Sequence, residues 1–480
     1  MVQEHLGAGR NGKPAYNLPL PLRRLRRLAL RDTPLQLRSP PAAARVASVA
    51  RRERRFVIRN SISQMLRQIC AVGMGLACLW ASCSDGSLSA PRGGAVVLDT
   101  ANAIEWRISS PVDSIGPSTG VSGHQFGRIV GVHVWQDGRV SIVDDASLSA
   151  ELFERSGNRL SHTGRRGRGP GEFQSVVLIG PVGLGRLLLY DPLLARLTLV
   201  DTARGAIATV SIASDERRSY LVPRNVVGSR LVVAEQGLPA PAEHAPGSVF
   251  WDSSAFHWAS ILADDVPRID LRDLHPVATL PDVETYARTD LPGSGAVMPL
   301  PLGARARSAG TATEWVYTSG ATPVLTFFDL DSGSSRSVAL QIGRERFTPA
   351  DVQAELDRRV QGGGRYENSA VAPSAEVEAF WRRQFEGIPF PELAPAITGL
   401  LVDESGYVWV RAYSRSGEAT RWWVVDPIQG IVGKAMLPGG FEPAWVGQAE
   451  VVGVWEDQAG GQHVQFRGLD RGDDPARAGG

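Results

Sequence analysis

Short apolar stretches rich in valine, isoleucine and leucine run along the chain from residue 95 onward, separated by glycine, aspartate and proline. The separations recur about every 8 to 12 residues, a spacing typical of sandwiches, barrels and propellers built from short strands. Apolar and polar positions alternate within many stretches, as expected of strands whose two faces have different surroundings. The pattern predicts an all-β fold for most of the chain.

One hairpin unit occurs twice at an offset of 47 residues. Gly138–Asp144 (GRVSIVD) reappears as Gly185–Asp191 (GRLLLYD), and each copy continues into a second strand that closes on a glycine, Gly157 or Gly205. A looser copy lies within 403–430. Because such a unit cannot bury both of its sheet faces alone, several units must pack against one another. A period of about 40 to 50 residues favours a propeller; the alternative, a β-sandwich, does not explain the recurrence.

Two segments interrupt the repeat. Residues 237–295, rich in proline, alanine, histidine and aspartate, are predicted to form a long loop insertion within one blade. Residues 348–386 are predicted to form a short helical insertion, in which Thr348 caps one helix, Pro349 opens it and Ser374 caps a second. Without these insertions about 300 residues remain, which corresponds to roughly six blades of ~50 residues.

The connection Gly164–Phe173 (GRRGRGPGEF) is the most specific motif of the chain. It follows a strand pair and resembles the blade-to-blade connection of NHL-like six-bladed β-propellers. Ile115–Gly116 and the strands around Trp409 and Trp423 extend this resemblance over most of 95–475. The resemblance implies a propeller that binds a protein, peptide or glycan. A minority of such propellers are lyases or hydrolases with a metal near the central channel.

The first 94 residues differ in composition from the rest. Residues 1–64 are rich in arginine, proline and alanine, which predicts a disordered leader or a segment that precedes the true start at Met65. Residues 65–83 combine a short basic start, an apolar run and small residues, as in a secretory signal peptide. Its end, Ala81-Ser82-Cys83, resembles the lipobox of bacterial lipoproteins and implies lipidation of Cys83, although Trp80 stands where leucine is usual. Residues 84–94 are predicted to be a linker.

The net charge of +1 conceals two unlike parts of the sequence. Residues 1–83 hold 15 basic and three acidic residues, a net charge of +12, whereas the remaining residues carry −11. An acidic body argues against binding to nucleic acid or to an anionic membrane surface. We therefore expect contact with the membrane through the lipid anchor alone, on the periplasmic or outer side. The three cysteines all lie in 65–83, so the body has no disulfide.

Few residues point to catalysis, and we expect no metal and no cofactor. No histidine pair has metal-ligand spacing, although His133 and His162 could converge at a propeller mouth. The acidic pairs Asp144–Asp145 and Asp264–Asp265 are explained by turns more simply than by Ca²⁺ binding. The glycines and arginines of 164–173 could bind phosphate, but no helix follows them, so we interpret the segment as a structural turn.

Three tryptophans in the two insertions, Trp251, Trp258 and Trp381, have less sheet to cover than those in the blades. They are candidates for a recognition surface or for a lid packed on one face of the ring. The sequence thus predicts an exported, lipid-anchored propeller that acts as a binding or scaffold module of the cell envelope. The alternative is a propeller enzyme, a metal-dependent lyase or glycan hydrolase, with its site at the channel mouth.

Overall fold

The computed structural model describes residues 95–472 except 102, 118–123, 213–218, 238–246, 263–267, 288–296, 362–374 and 458–459. The predicted leader (1–64), signal peptide (65–83) and linker (84–94) lie outside the described residues. Within the part of the chain that the structure describes, no helix has the length and apolar character needed to cross a membrane.

Strands dominate the described residues, and most of them follow one another in antiparallel meanders. Two strands precede the meanders, β1 (Val96–Leu98) and β2 (Ile104–Ile115). Meander 1 contains β3 (Ile129–Val134), β4 (Val140–Asp144), β5 (Ser149–Phe153) and β6 (Arg159–Thr163). Meander 2 contains β7 (Val177–Pro181), β8 (Arg186–Asp191), β9 (Arg196–Asp201) and β10 (Gly205–Ser211). Meander 3 contains β11 (Ser219–Val227), β12 (Arg230–Gly237), β13 (Val249–Leu262), β14 (Arg268–Ile269), β15 (His275–Ala287) and β16 (Val297–Pro299).

The second half of the chain continues in the same manner. Meander 4 contains β17 (Arg307–Gly310), β18 (Glu314–Thr318), β19 (Val324–Asp329) and β20 (Ser335–Leu340). Two helices follow, α1 (Pro349–Gln361) and α2 (Ala375–Phe385). Meander 5 contains β21 (Ile397–Val402), β22 (Val408–Ala412), β23 (Thr420–Asp426) and β24 (Gly430–Leu437). Meander 6 contains β25 (Phe441–Val446), β26 (Glu450–Glu456) and β27 (Gln462–Asp470).

The first two strands pair with strands of the second half of the chain. Strand β1 pairs in parallel with β20. The first residues of β2 pair in parallel with β24, whereas its later residues pair antiparallel with β27. Strand β2 therefore supplies the fourth strand of meander 6 and joins it to meander 5, so that hydrogen bonding defines five sheets.

The first strands of the meanders form a closed ring. Strand β3 contacts β7, and the contacts continue through β11, β17, β21 and β25 back to β3. Since each meander runs outward from its first strand and packs on its two neighbours, the arrangement is that of a β-propeller. The fold is all-β apart from the two helices of the described residues, as the apolar pattern predicts.

The apolar cores lie between consecutive meanders. Phe466 of β27 and Ile142 of β4 share one core, and Val143 of β4 shares the next with Leu187 of β8. Similar cores join each later meander to the one after it. Strands such as β4 are consequently buried on both faces, and a single meander exposes too much apolar area to be stable alone.

The repeat of 47 residues corresponds to the same turn in meanders 1 and 2. Gly138 and Gly185 both adopt the left-handed backbone conformation, with φ of 80° and 70°. Asp144, at the end of β4, accepts hydrogen bonds from the amide of Ala146 and from the amide that opens the meander, that of Arg128. Asp191 repeats both contacts in meander 2. The aspartate thus fastens the second strand to the start of its own meander.

The prediction of a loop insertion at 237–295 is wrong, because the described part of this segment forms strands. Strands β13 and β15 occupy most of its described residues and pair from Val249–Trp258 to His275–Tyr286 within the sheet of meander 3. The proline and aspartate content of this segment is typical of loops, so its composition did not indicate strands. Buried polar contacts explain part of this composition, because Asp282 on β15 accepts hydrogen bonds from Ser254 and Gln236, both 2.7 Å long.

The helices α1 and α2 lie within the segment where the sequence predicts helices. Thr348 precedes α1, and its hydroxyl and amide both donate to the Asp351 carboxylate at 2.7 Å. The Asp351 amide donates back to the Thr348 hydroxyl, which completes a reciprocal cap. The predicted cap of α2, Ser374, lies outside the described residues.

Candidate functional site

A cavity of about 320 Å³ is lined by residues of α1 and by residues at the first strands of meanders 4 and 5. Arg305 lines it just before β17, Arg307 lines it at the first residue of β17, and Thr398 lines it from β21. Helix α1 contributes one wall. The remaining lining residues come from these elements and the loops beside them: Leu302, Gly303, Phe347, Glu355, Arg358, Arg359, Pro395, Ile397 and Tyr413.

Positive charge dominates this cavity, which we call the arginine cavity. Four arginines line it together with one acidic residue, Glu355. Glu355 is already engaged, since its carboxylate accepts hydrogen bonds at 2.7–2.8 Å from Arg358 and Arg359 on the same helix. The cavity therefore holds more positive charge than its own carboxylate neutralises.

The other two arginines have no acidic partner among the described residues. Arg307 donates to two backbone carbonyls, from Nε to Thr398 at 2.8 Å and from Nη1 to Ala306 at 3.0 Å. Arg305 is exposed to the solvent of the cavity, and in the part of the chain that the structure describes its side chain forms no hydrogen bond or ion pair. Both guanidinium groups therefore keep donors available for a ligand.

Burial and like charges act on both groups in the same direction. Although Arg305 keeps contact with solvent, the protein atoms packed around it desolvate its guanidinium group and lower its pKa. The neighbouring charge of Arg359 lowers this pKa further, against the opposite effect of Glu355. Burial likewise lowers the pKa of Arg307, followed by the charge of Arg305. Both remain protonated at neutral pH, because the guanidinium group keeps its proton in proteins. The closely spaced positive charges are thus electrostatically unfavourable, and a bound anion would relieve their repulsion.

Helix α1 is held over the cavity by Arg415, which follows β22. Its Nε donates to Asp351 in the first turn of the helix at 3.0 Å, and its Nη1 donates to Glu345 at 2.6 Å. Asp351, Glu355 and Arg359 recur at intervals of four residues, so they lie on one face of the helix. Anchoring Asp351 to the sheet therefore directs Glu355 and Arg359 into the cavity.

Trp381, one of the three predicted recognition tryptophans, stands behind this wall. It lies on α2, and the guanidinium carbon of Arg359 is 5.1 Å from the centroid of its ring. The ring of Phe385 lies edge-on to that of Trp381, with centroids 6.5 Å apart. Trp381 does not line the cavity but supports one of its arginines through a cation–π contact.

Trp251 and Trp258 lie in meander 3, on β13, and neither lines the arginine cavity. Trp251 pairs across the sheet with Glu284 of β15. Trp258 stacks on His275 with ring centroids 4.0 Å apart and lies under the guanidinium of Arg230 at 4.9 Å. The structure does not bring the three tryptophans to one cavity, and a recognition surface formed by them stays a prediction.

The glycine-rich connection binds an anion from its own chain. Between β6 and β7, the Glu172 carboxylate accepts the amides of Arg168 at 3.0 Å and Gly169 at 2.8 Å. Arg165 adds a hydrogen bond of 2.9 Å. The amide of Gly169, followed by Arg165, lowers the pKa of Glu172. The amides that a phosphate would need are therefore occupied, in agreement with a structural turn.

The histidines and acidic pairs singled out from the sequence serve separate local contacts. His133 on β3 packs edge-on against Trp135 at 4.4 Å, and burial lowers its pKa to about 4. His162 on β6 contacts Glu151 at 3.1 Å. Asp145 accepts the amide of Val176, 2.6 Å away, at the entry to meander 2. Over the described ranges, no three histidine, cysteine, aspartate or glutamate side chains are arranged to hold a metal ion.

Cys83 and the pair Asp264–Asp265 lie outside the described residues, so their predicted roles stay predictions. The arginine cavity, in contrast, was missed by the sequence reasoning. Its signals were Arg305-Ala-Arg307, whose alternation places two arginines on one face of an extended segment, and the adjacent Arg358-Arg359. The net charge of −11 beyond residue 83 gave no indication of these two local pairs of arginines.

Comparisons with known proteins give no family. No protein-family model matches the chain, and a search of curated proteins finds no match. Among solved structures, a member of the duf4221 family from Bacteroides vulgatus is 8% identical, with 76% of this chain and 99% of that chain covered at a TM-score of 0.44. A protein described as exported, from Bacteroides fragilis, is 8% identical, with 78% and 99% covered at 0.36.

A third solved structure is an enzyme. Virginiamycin B lyase from Staphylococcus aureus is 9% identical, with 76% of this chain and 99% of that chain covered at a TM-score of 0.35. Similarities this low carry no argument about family or activity. The propeller arrangement rests on the strand pairing and on the closed ring of first strands.

Proposed function

We propose that this protein is an exported, lipid-anchored binding module of the bacterial cell envelope, and that the arginine cavity is its ligand site. The observation that carries the proposal is the cavity itself. It is concave, of a volume at the small end of ligand pockets, and lined by convergent polar groups beside an aromatic pair. Phe347 and Tyr413 form this pair, with ring centroids 5.4 Å apart.

We further propose that the propeller has six blades, with β2 completing the sixth. The ring of six first strands and the six cores between consecutive meanders support this count. Meanders 5 and 6 form one eight-stranded sheet through β2, and this sheet then represents two blades. The early residues of β2 pair with β24 and its later residues pair with β27. Strand β2, which precedes the first meander, thus completes the last one, so that strands from both ends of the described fold share one sheet.

Export and anchoring are proposed on residues 65–83 alone. Cells expressing the full chain and fed radiolabelled palmitate should yield a labelled protein in the membrane fraction. The Cys83→Ala variant should lose the label and leave that fraction. Retention of an unlabelled variant in the membrane would contradict lipid anchoring and indicate an uncleaved apolar anchor.

Ligand binding is tested by the thermal unfolding of the full chain against a panel of neutral sugars, amino acids, carboxylates and phosphates. A compound that binds the native state raises the melting temperature in a concentration-dependent manner. Thr398→Phe, which places a large ring in the cavity, should abolish the shift for every compound that binds there. Thr313→Phe, at an exposed turn outside the cavity, is the matched control.

The proposal fails if no class of compound raises the melting temperature, or if each shift survives in Thr398→Phe. Circular dichroism of Thr398→Phe shows whether its fold is intact. If that variant does not fold, Tyr413→Trp, which enlarges an aromatic side chain already in the wall, makes the same comparison.

A further inference from the structure

We propose that the ligand of the arginine cavity is a small organic polyanion, with two or more carboxylate or phosphate groups that pair with Arg305 and Arg307. This inference rests on the proposed function, since it takes the cavity to be a ligand site. It adds the chemical class of the ligand and the residues that select it.

Two arginines near the cavity but outside its lining each have an acidic partner. Arg411 of β22 is neutralised by Glu442, 2.6 Å away. Arg224 of β11 is neutralised by the buried Asp282. Both lie close enough to Arg307 for their charges to lower its pKa. The sheets therefore supply a carboxylate to each of these arginines but none, among the described residues, to Arg305 or Arg307.

Arg305 and Arg307 keep hydrogen-bond donors that no group of the described residues accepts from. A guanidinium group has five N–H donors in a planar fork. Arg307 uses two of them on carbonyls, which fix its orientation and leave the others free. Arg305 offers its whole fork to the cavity. Two forks from one extended segment suit a ligand with two oxyanions, because each fork can bind one carboxylate or phosphate in a bidentate manner.

The positive charge of the arginine cavity contrasts with the negative charge of the rest of the protein. Beyond residue 83 the chain carries a net charge of −11, so its surface as a whole repels anions. A confined group of arginines in such a body is selective, since the long-range field opposes adsorption and the local donors favour a ligand that fits. The carbon skeleton would lie against Phe347 and Tyr413.

The test is calorimetric titration of the full chain at low salt with citrate, with pyrophosphate and with triethyl citrate, an ester of the same skeleton without charge. We expect citrate or pyrophosphate to bind and the ester to fail. Tighter binding of citrate would indicate a carboxylate ligand, and tighter binding of pyrophosphate would indicate a phosphate ligand. Affinity should fall as salt rises, because the contacts are partly exposed.

Arg305→Gln should weaken binding of the anion by tenfold or more, since a hydrogen bond to a charged group is lost without filling the cavity. Arg139→Gln, an exposed arginine of meander 1 that pairs with Asp137, makes the same change in net charge and should have no effect. Equal weakening by both variants, or none by Arg305→Gln, would overturn the inference.

The two proposals fail in different ways. If neutral compounds bind and Thr398→Phe blocks them while citrate and pyrophosphate do not bind, the cavity is a ligand site but not one for polyanions. If no compound of any charge binds, the proposed function fails and the inference fails with it.

Discussion

A buried ion pair fastens the end of the chain to meander 5, and its loss should be costly in a manner that depends on pH. The side chain of Asp403, in the turn between β21 and β22, is 0% exposed, and that of Arg471, after β27, is 5% exposed. Their oxygen and nitrogen atoms are 3.0 Å apart. Asp403 also accepts the amides of Ser405 and Tyr407, both at 2.9 Å, and the indole N–H of Trp409 at 3.2 Å.

Arg471→Ala leaves the Asp403 carboxylate buried without its counter-charge. Removing one partner of a buried pair costs about 3 to 5 kcal/mol. The three remaining donors keep Asp403 partly stabilised, which favours the lower end of this range. Arg471 also packs over the ring of Trp106 at 4.7 Å, and losing that contact adds to the cost. We therefore expect the free energy of unfolding to fall by about 3 to 4 kcal/mol at neutral pH.

The dependence on pH follows from Asp403. Burial raises its pKa above the ordinary value of 3.8, and the charge of Arg471 opposes that rise. Without Arg471 the pKa rises further, so the native state holds a proton that the unfolded chain has lost. Stability from a group of this kind is fully present below the unfolded pKa and is lost as pH rises through the folded pKa. The deficit of Arg471→Ala should therefore be smaller at pH 5 than at pH 8.

Urea unfolding followed by tryptophan fluorescence at pH 5 and pH 8 measures both effects. Arg139→Ala, which breaks an exposed pair, is the control and should change stability by less than about 1 kcal/mol at either pH. A loss below about 1 kcal/mol in Arg471→Ala, or one equal at the two pH values, would refute the reasoning.

Three further predictions concern packing, a turn and a buried histidine. Gly433→Ala should destabilise the protein by about 1 to 3 kcal/mol, because its added carbon would lie 2.5 Å from Trp106. The control is Gly343→Ala, whose added carbon meets no atom within 4 Å and which should leave stability to urea unchanged. A side chain at position 138 would meet no atom within 4 Å, but Gly138 has a φ of 80°, which valine rarely adopts. Backbone strain alone should therefore lower the free energy of unfolding of Gly138→Val by about 1 to 2 kcal/mol. An unchanged value would refute the proposed role of the turn. Burial lowers the pKa of His133 from 6.5 to about 4, so as pH falls the unfolded chain takes up a proton at this histidine before the folded protein does. The free energy of unfolding should therefore decrease by up to about 3 kcal/mol as pH falls through this range. His133→Gln should lack this decrease when unfolding curves at pH 7 and pH 4.5 are compared.

The elements that could be predicted are those whose residues carry local information. Gly138 and Gly185 occupy backbone conformations that favour glycine, and Asp144 and Asp191 bind amides two residues away, so their spacing records the repeat directly. Thr348 and its contact with Asp351 mark the start of α1 in the same way.

What escaped prediction depends on contacts distant in sequence. Strand β2 pairs with β27, more than 300 residues away, and nothing in its own residues names that partner. Strands β13 and β15 were obscured by polar residues that are satisfied only once the sheet forms, such as Ser254 and Asp282. The arginine cavity combines residues from a loop, a helix and two blades, and their charges matter because the fold confines them together.

The most direct test of the arginine cavity is a crystal structure of the protein with the tighter-binding of citrate and pyrophosphate. We predict that the anion lies in the cavity with its charged groups within hydrogen-bond distance of both Arg305 and Arg307. An anion bound elsewhere on the molecule, with the cavity unoccupied at saturating concentration, would contradict it.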